Sequence, residues 1–393
     1  MQVHLAEHLP KKAKIQLGGY YTPKVLVNKV SSFIKPYLEN NKKETIIFDN
    51  AGGCGAFLMD FRHYDYRIAD CDLNACNFLK QYFNRHRVFY TNSLGEVRRD
   101  KYSIPSSAFL IMIGNPPYND ITSEFKKGEK GENTCDDDLF DRDLGISFLK
   151  SYHKLKANVV CVLHPLSYLI KEANFKRLCD FKDNYRLIKA EIFPSDLFRG
   201  TGKIKFPILV ALYEKNPLGM TFEYIKQFQF DILNSDKKLV LSKYNTTDGY
   251  INKYPPRKND IKNSPLGLYY YSFRDFNSLK KNASFITKKH PNGIVVTLDN
   301  FYKYAYLYSL KSLFNPESLY LYGNMSPLVN IDDVEGNKGL YVFYTIKTNK
   351  VFREINESIL NNIKNYCKAH FDKNYTIDMI AKEIQDRLNK LIE

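Results

Sequence analysis

Apolar and polar positions keep one rhythm up to about residue 215 and lose it afterwards. Near the start, Val25, Leu26, Val30 and Phe33 follow helical spacing in a run from 24 to 38. Thr22 is placed to cap that helix, and Pro23 takes its first position, where a missing N–H costs nothing. From Thr45 onward, short apolar runs alternate with helix-spaced ones. Residues 45–49, 66–71, 88–91, 107–114, 158–163, 187–193 and 206–213 read as strands. Helices are predicted over 55–61, 74–85 and 138–155. The 107–114 run is apolar almost throughout, as expected of a strand buried on both faces of a parallel sheet. Strands separated by helices predict a doubly wound α/β sheet with loops gathered at the strand ends.

Beyond Asn216-Pro217-Leu218-Gly219 the alternation stops. Residues 220–350 hold short Tyr- and Lys-rich segments broken by Asn, Pro and Gly, and two helical runs follow near 352–367 and 377–392. The expected organisation is therefore two domains, 1–215 and 216–393.

Charge narrows the class of partner. Lys and Arg number 58 against 43 Asp and Glu, a formal +15 spread over both parts of the chain, which favours a polyanion. Clusters in the second part include Arg257, Lys258, Lys280, Lys281, Lys288 and Lys289. The longest apolar stretch, 108–113, is far short of the roughly 20 residues of a membrane-crossing helix. Residues 1–10 carry no apolar signal core, so the expectation is a cytoplasmic protein without a membrane partner. Seven Cys without a Cys-x-x-Cys pair read as reduced thiols, and no metal site is expected. With 30 Tyr and 27 Phe, some rings are candidates for stacking on bases.

Three segments fall at predicted strand ends, where an open α/β sheet places its ligand. In Asp49-Asn50-Ala51-Gly52-Gly53-Cys54-Gly55 a strand ends in a carboxylate and turns through glycines, which lets backbone approach a ligand closely. The third glycine of the dinucleotide fingerprint is absent, as is a phosphate-loop lysine; a plain turn would look the same. About 20 residues on, at the next strand end, Asp70 is placed to grip a ribose diol. Asp72 is a weaker candidate, and either could instead cap the helix predicted at 74.

The third segment is Asn115-Pro116-Pro117-Tyr118. Two prolines stiffen the backbone and leave carbonyls without N–H groups. The Asn115 side-chain oxygen and the Pro116 carbonyl are two acceptors, enough for both hydrogens of an amino group. Tyr118 offers a flat face. The combination suits a planar substrate carrying an amine.

Together with Gly19-Tyr20-Tyr21-Thr22-Pro23, these residues resemble the S-adenosylmethionine-dependent adenine-N6 DNA methyltransferases of bacterial and viral restriction–modification systems. That family has an Asn/Asp-Pro-Pro-Tyr/Phe tetrapeptide downstream of a strand–Asp–glycine loop. The order of motifs resembles its gamma subgroup, and the similarity covers roughly residues 18–215. The resemblance implies a Rossmann-like methyltransferase sheet followed by a C-terminal target-recognition domain. S-adenosylmethionine is the implied cofactor, double-stranded DNA the substrate, and a cognate restriction endonuclease a partner. Carried over residue by residue, Tyr21, Thr22 and Pro23 would approach the methionine part of the cofactor. Asp49, Ala51, Gly52, Gly53 and Gly55 would cradle it, with Asp70 on the ribose and Asn92 at the cofactor adenine. Asn115, Pro116, Pro117 and Tyr118 would form the catalytic loop, and Phe198, with Phe193 as the runner-up, would stack on the opposite face of the flipped base; a plain core Phe is the alternative. Two positions depart from the pattern: Asn50 replaces a usual Pro, and Asn92 a frequent Asp. The same tetrapeptide would also serve adenine methylation in RNA or methylation of a protein glutamine amide. A non-catalytic DNA-recognition subunit would keep the same fold.

Overall fold

The computed structural model describes residues 22–40, 44–118, 135–198, 205–256, 263–366 and 376–393. Tyr21, Arg257 and Lys258 lie outside these residues. The chain forms two compact units, dividing between Leu241 and Ser242.

In the first unit the expected α/β alternation produces one nine-stranded sheet. Its strands are β1 (Thr45–Asp49), β2 (Asp65–Asp70), β3 (Val88–Tyr90), β4 (Phe109–Gly114) and β5 (Val159–Pro165), then β6 (Tyr185–Pro194), β7 (Pro207–Lys215), β8 (Phe230–Ile232) and β9 (Ser235–Leu239). They lie in the order β3-β2-β1-β4-β5-β7-β6-β8-β9. The first five run parallel, and β7 is inserted antiparallel between β5 and β6. The sequence of strands reverses direction across the sheet between β1 and β4, so the carboxyl ends of those two strands open a crevice. Their register sets Asp49 beside Ile113 on one side and Ile68 on the other. Buried Ile46, Ile47 and Phe48 of β1 and Leu110 to Ile113 of β4 make this the centre of the core.

Helix α1 (Lys24–Asn40) lays Leu26, Val27, Val30 and Ile34 into that core; of the stripe its sequence spacing predicts, Leu26 and Val30 are buried, Phe33 packs at the edge and Val25 is exposed. Helix α2 (Leu73–Tyr82) follows β2 and is capped by Asp72, whose carboxylate accepts from the Asn74 N–H at 2.8 Å. The capping alternative therefore accounts for Asp72. Helix α3 (Leu144–Lys154) starts six residues later than its apolar periodicity suggests, because Asp143 caps it by accepting from the Gly145 N–H. The helix expected over 55–61 does not form. Its N–H groups bond three residues back, Leu58 to Gly55 and Phe61 to Leu58, giving tight turns and a short 3-10 segment at Met59–Phe61.

The division after Leu241 lies beyond the point where the sequence rhythm changes. Residues 216–241 stay with the first unit because β8 pairs with β6 and β9 with β8, extending the sheet. β8 has three residues, and the five of β9 are exposed except Leu239, so neither registers as an apolar pattern.

The second unit, Ser242–Glu393, has a small sheet in which β10 (Tyr269–Tyr271) lies between β11 (Phe285–Ile286) and β12 (Gly293–Val295), antiparallel to both. Its two chief helices, Leu298–Leu313 and Lys338–Thr348, have no counterpart in the sequence reading. Both are buried around most of their circumference, Lys338–Thr348 from Gly339 through Ile346, so neither shows an apolar stripe. The final helix, Ile377–Asn389, buries only Ile380, Ile384 and Leu388 and is legible for that reason. Aromatic wealth here goes into the core: Tyr304 and Tyr306 are buried, with hydroxyls donating to the carbonyls of Asn252 and Leu328. No described helix is long and apolar enough to cross a membrane.

Candidate active site

The crevice between β1 and β4 is a cavity that gathers residues from six separate stretches of chain. Thr22 comes from the approach to α1, Asp49 to Gly53 from the turn after β1, and Asp70 from the end of β2. Asn92 follows β3, and Asn115 and Pro117 follow β4. Of the residues singled out in the sequence, Thr22, Asp49, Ala51, Gly52, Gly53, Asp70, Asn92, Asn115 and Pro117 all line this one space. Leu144 and Phe148 of α3 also line it, as do Asn50 and Phe57. Nothing in their local sequence marks Leu144 and Phe148 as different from core positions.

The turn after β1 is held by a small set of hydrogen bonds. Asp49 Oδ1 accepts from the Ala51 N–H at 3.2 Å, and Gly52 donates to the Ala69 carbonyl at 2.9 Å. Asp70 spans the two strands: Oδ2 accepts from the Gly53 N–H and Oδ1 from the Asp72 N–H, both at 2.8 Å. Each carboxylate oxygen has a second lone-pair direction, so Asp70 can still accept from a ligand. Burial nonetheless pushes its carboxyl above the usual range, against the two N–H groups that stabilise the anion. Gly55 and Pro23 serve the scaffold, Gly55 donating to the Gly52 carbonyl and Pro23 accepting from Leu26 and Val27 as the helix starts; neither lines the cavity.

Asp49 is the most perturbed acid of the site. It is almost completely buried, Oδ2 has no hydrogen-bond partner, and burial, with some help from the Asp70 charge, raises its carboxyl to about 7. Gly114 is what admits it. At φ +146° a side chain would be strained, and a Cβ there would sit 2.8 Å from Asp49 Oδ1. Asn50, next in the chain, is 2% exposed, and neither polar atom of its amide has a partner. An unmade hydrogen bond on a buried group costs about 1–3 kcal/mol.

At the end of β4, Asn115 Nδ2 donates to Thr22 Oγ1 at 3.5 Å, which turns Oδ1 the other way. That oxygen accepts from the Tyr118 hydroxyl. Pro116 is buried and Tyr118 half-buried; neither lines the cavity in this conformation. Asn92 Oδ1 accepts from the Leu94 N–H and its carbonyl accepts from Lys101, so this residue braces its own turn while facing the cavity.

Phe198 does not line the cavity in this conformation. It is 3% exposed and belongs to the hydrophobic cluster that contains Phe193, Ile208 and Val210, away from the cavity lining. Phe198 closes a turn in which its N–H returns to the Ser195 carbonyl. Behind the site, His164 at the end of β5 is buried against Tyr213, whose hydroxyl is 2.6 Å from Nε2, and burial lowers it to about 4. Among the described residues no three His, Cys, Asp or Glu side chains are grouped to hold a metal ion.

No known family's sequence profile matches the chain, and no curated protein does. Solved structures similar to it include the methyltransferase subunit of a type I restriction–modification system from Streptococcus thermophilus, 17% identical, with a TM-score of 0.36 over 55% of this chain and 51% of that one. A dimethyladenosine transferase from Plasmodium falciparum is 13% identical over 50% of this chain and 63% of its own, with a TM-score of 0.31. A 23S rRNA methyltransferase is 10% identical over 52% and 74%, again at 0.31. The chain thus spans about half the length of the Streptococcus thermophilus subunit.

Proposed function

We propose that the chain is an S-adenosylmethionine-dependent DNA methyltransferase acting on the N6 amine of adenine. The observation that carries this reading is the convergence of Asn115 and Pro117 with Asp49, Asp70 and the glycine turn on one cavity. One loop offers stiff, paired acceptors for an amine, and the adjoining turn offers buried polar atoms for a second molecule.

The residues present fit the cofactor. Asp49 Oδ2 and the Asn50 amide are buried polar atoms without partners, suited to an amino-acid group. Asp70 and Asn92, from the ends of β2 and β3, supply acceptors suited to a nucleoside. When bound, the cofactor supplies an electrophilic methyl group on a sulfonium. The chain's own task is to make a poor nucleophile reactive. The adenine amine is weak because its lone pair is delocalised into the ring. Accepting both amino hydrogens, on Asn115 Oδ1 and the Pro116 carbonyl, localises that pair and aims it. Thr22 holds the Asn115 amide in the orientation this requires. The Tyr118 hydroxyl occupies the same oxygen until the base displaces it, and the Tyr118 ring then covers the base. Swinging the base out of a duplex costs a few kcal/mol, part of which stacking returns.

A nucleic-acid substrate is favoured by the +15 charge spread over the chain, and DNA over RNA by the resemblance of the motifs. The second unit would read the target, and a cognate endonuclease would complete a restriction–modification pair. Lys288 and Lys289 are exposed there, whereas Lys280 is committed to the carbonyls of Lys311 and Phe314 and is not free for phosphate. The test is transfer of a radiolabelled methyl group by the purified chain to duplex DNA, structured RNA and protein in parallel. Labelled N6-methyladenine in DNA is expected, with a loss of about 100-fold or more in Asn115→Ala and retained cofactor binding. Full turnover by that variant, or RNA as the preferred acceptor, would overturn the assignment.

A further inference from the structure

Asn50 is a polar side chain of the cavity to which the motif resemblance gives no role. It follows Asp49 directly, is 2% exposed, and both Nδ2 and Oδ1 are buried without a partner. Native interiors leave very few such groups unsatisfied, and those they leave tend to await a ligand or a water. Three of the orphan atoms on residues lining the cavity sit on adjacent residues: one donor, Asn50 Nδ2, and two acceptors, Asn50 Oδ1 and Asp49 Oδ2; the fourth, Ser93 Oγ, follows Asn92 beyond the end of β3. Thr22 and Asn115, bonded to each other, also line it, whereas Asp70 and Asn92 come from the ends of β2 and β3. An apolar ligand could not satisfy the set. A simple anion would use the donor and be repelled by Asp49, and a simple cation would leave the donor unused. A zwitterion carrying adjacent ammonium and carboxylate groups uses all three.

We infer that Asn50 is a specificity-determining residue that reads the amino-acid end of the cofactor, Nδ2 donating to its carboxylate while Oδ1 and Asp49 accept from its ammonium. This rests on the proposed cofactor and adds a residue that the motif resemblance treats only as a departure. Its consequence is selective: Asn50 should discriminate between nucleosides that carry the amino-acid tail and nucleosides that lack it.

The experiment is titration calorimetry of the full chain with S-adenosylhomocysteine and with 5′-methylthioadenosine, which has the same nucleoside and sulfur but no amino-acid group. In Asn50→Ala the affinity for S-adenosylhomocysteine should fall about tenfold or more while that for 5′-methylthioadenosine stays within about twofold. Asn50→Ser, which keeps a small polar group, should show the same selective loss to a lesser degree and serves if the alanine variant folds poorly. Equal weakening of both ligands, or of neither, overturns the assignment to Asn50 while leaving the cofactor standing. Wild-type protein that binds neither nucleoside overturns the cofactor itself, and the role of Asn50 with it.

Discussion

Replacing Asp49 with Asn should stabilise the unliganded protein and remove one arm of its pH dependence. The carboxyl is buried with Oδ2 unpaired, and its value is about 7 in the folded chain against an ordinary 3.8. Between those two pH values the unfolded chain has released a proton that the folded chain retains. The folded state then binds more protons, so stability falls as pH rises through this window and the loss is complete above about 7. The gap between the two values corresponds to at most about 4 kcal/mol. Asn keeps Oδ1 as an acceptor for the Ala51 N–H and cannot ionise. The difference in unfolding free energy between variant and wild type should therefore be small near pH 4 and grow to at most about 4 kcal/mol by pH 8. Urea unfolding at several pH values measures it. The difference is the proper observable, because His164 acts in the opposite sense over part of the same range. A difference that stays flat from about pH 4 to 8 would refute the reasoning about Asp49 burial.

His164 is held near 4 by burial, below its ordinary 6.5, so the unfolded state takes up a proton first as pH falls. Stability should drop by about 3 kcal/mol between roughly pH 6.5 and 4, and His164→Gln should lose that acid sensitivity; an unchanged acid limb of the unfolding curve would count against it. Gly114→Ala forces a side chain at φ +146° with its Cβ 2.8 Å from Asp49 Oδ1. It should lower stability by about 1–3 kcal/mol from backbone strain alone, and an unmoved urea midpoint would contradict the packing described. Tyr118→Phe removes the hydroxyl that competes for Asn115 Oδ1 but keeps the ring; methyl transfer should stay within a few-fold of wild type, whereas Tyr118→Ala should lose about 5- to 100-fold through lost stacking. Equal losses in the two variants would assign the role to the hydroxyl instead.

The sequence by itself determined the class of the first unit and the positions of β1 to β7. A β-strand in a parallel sheet is buried on both faces, and a short unbroken apolar run such as 107–114 states that locally. It also determined that Asp49, Asp70 and Asn115 would stand at strand ends, since each ends or follows such a run. Only the tertiary structure decided which of these residues meet. Asn115 and Thr22 are bonded across a separation of 93 residues, and no local pattern records that. The same holds for Phe198, whose ring goes inward because β6, β7 and α1 leave a place for it in the core. It holds as well for Lys280, which looks like a solvated cation until the carbonyls of Lys311 and Phe314 take it up. Helices 298–313 and 338–348 escaped notice for a related reason: periodicity reveals a helix only when one side faces water, and these two are surrounded. Asn50 is the clearest case. In the sequence it is one polar residue in a turn; buried beside Asp49 with nothing to bond, it becomes a statement about what the cavity is built to hold.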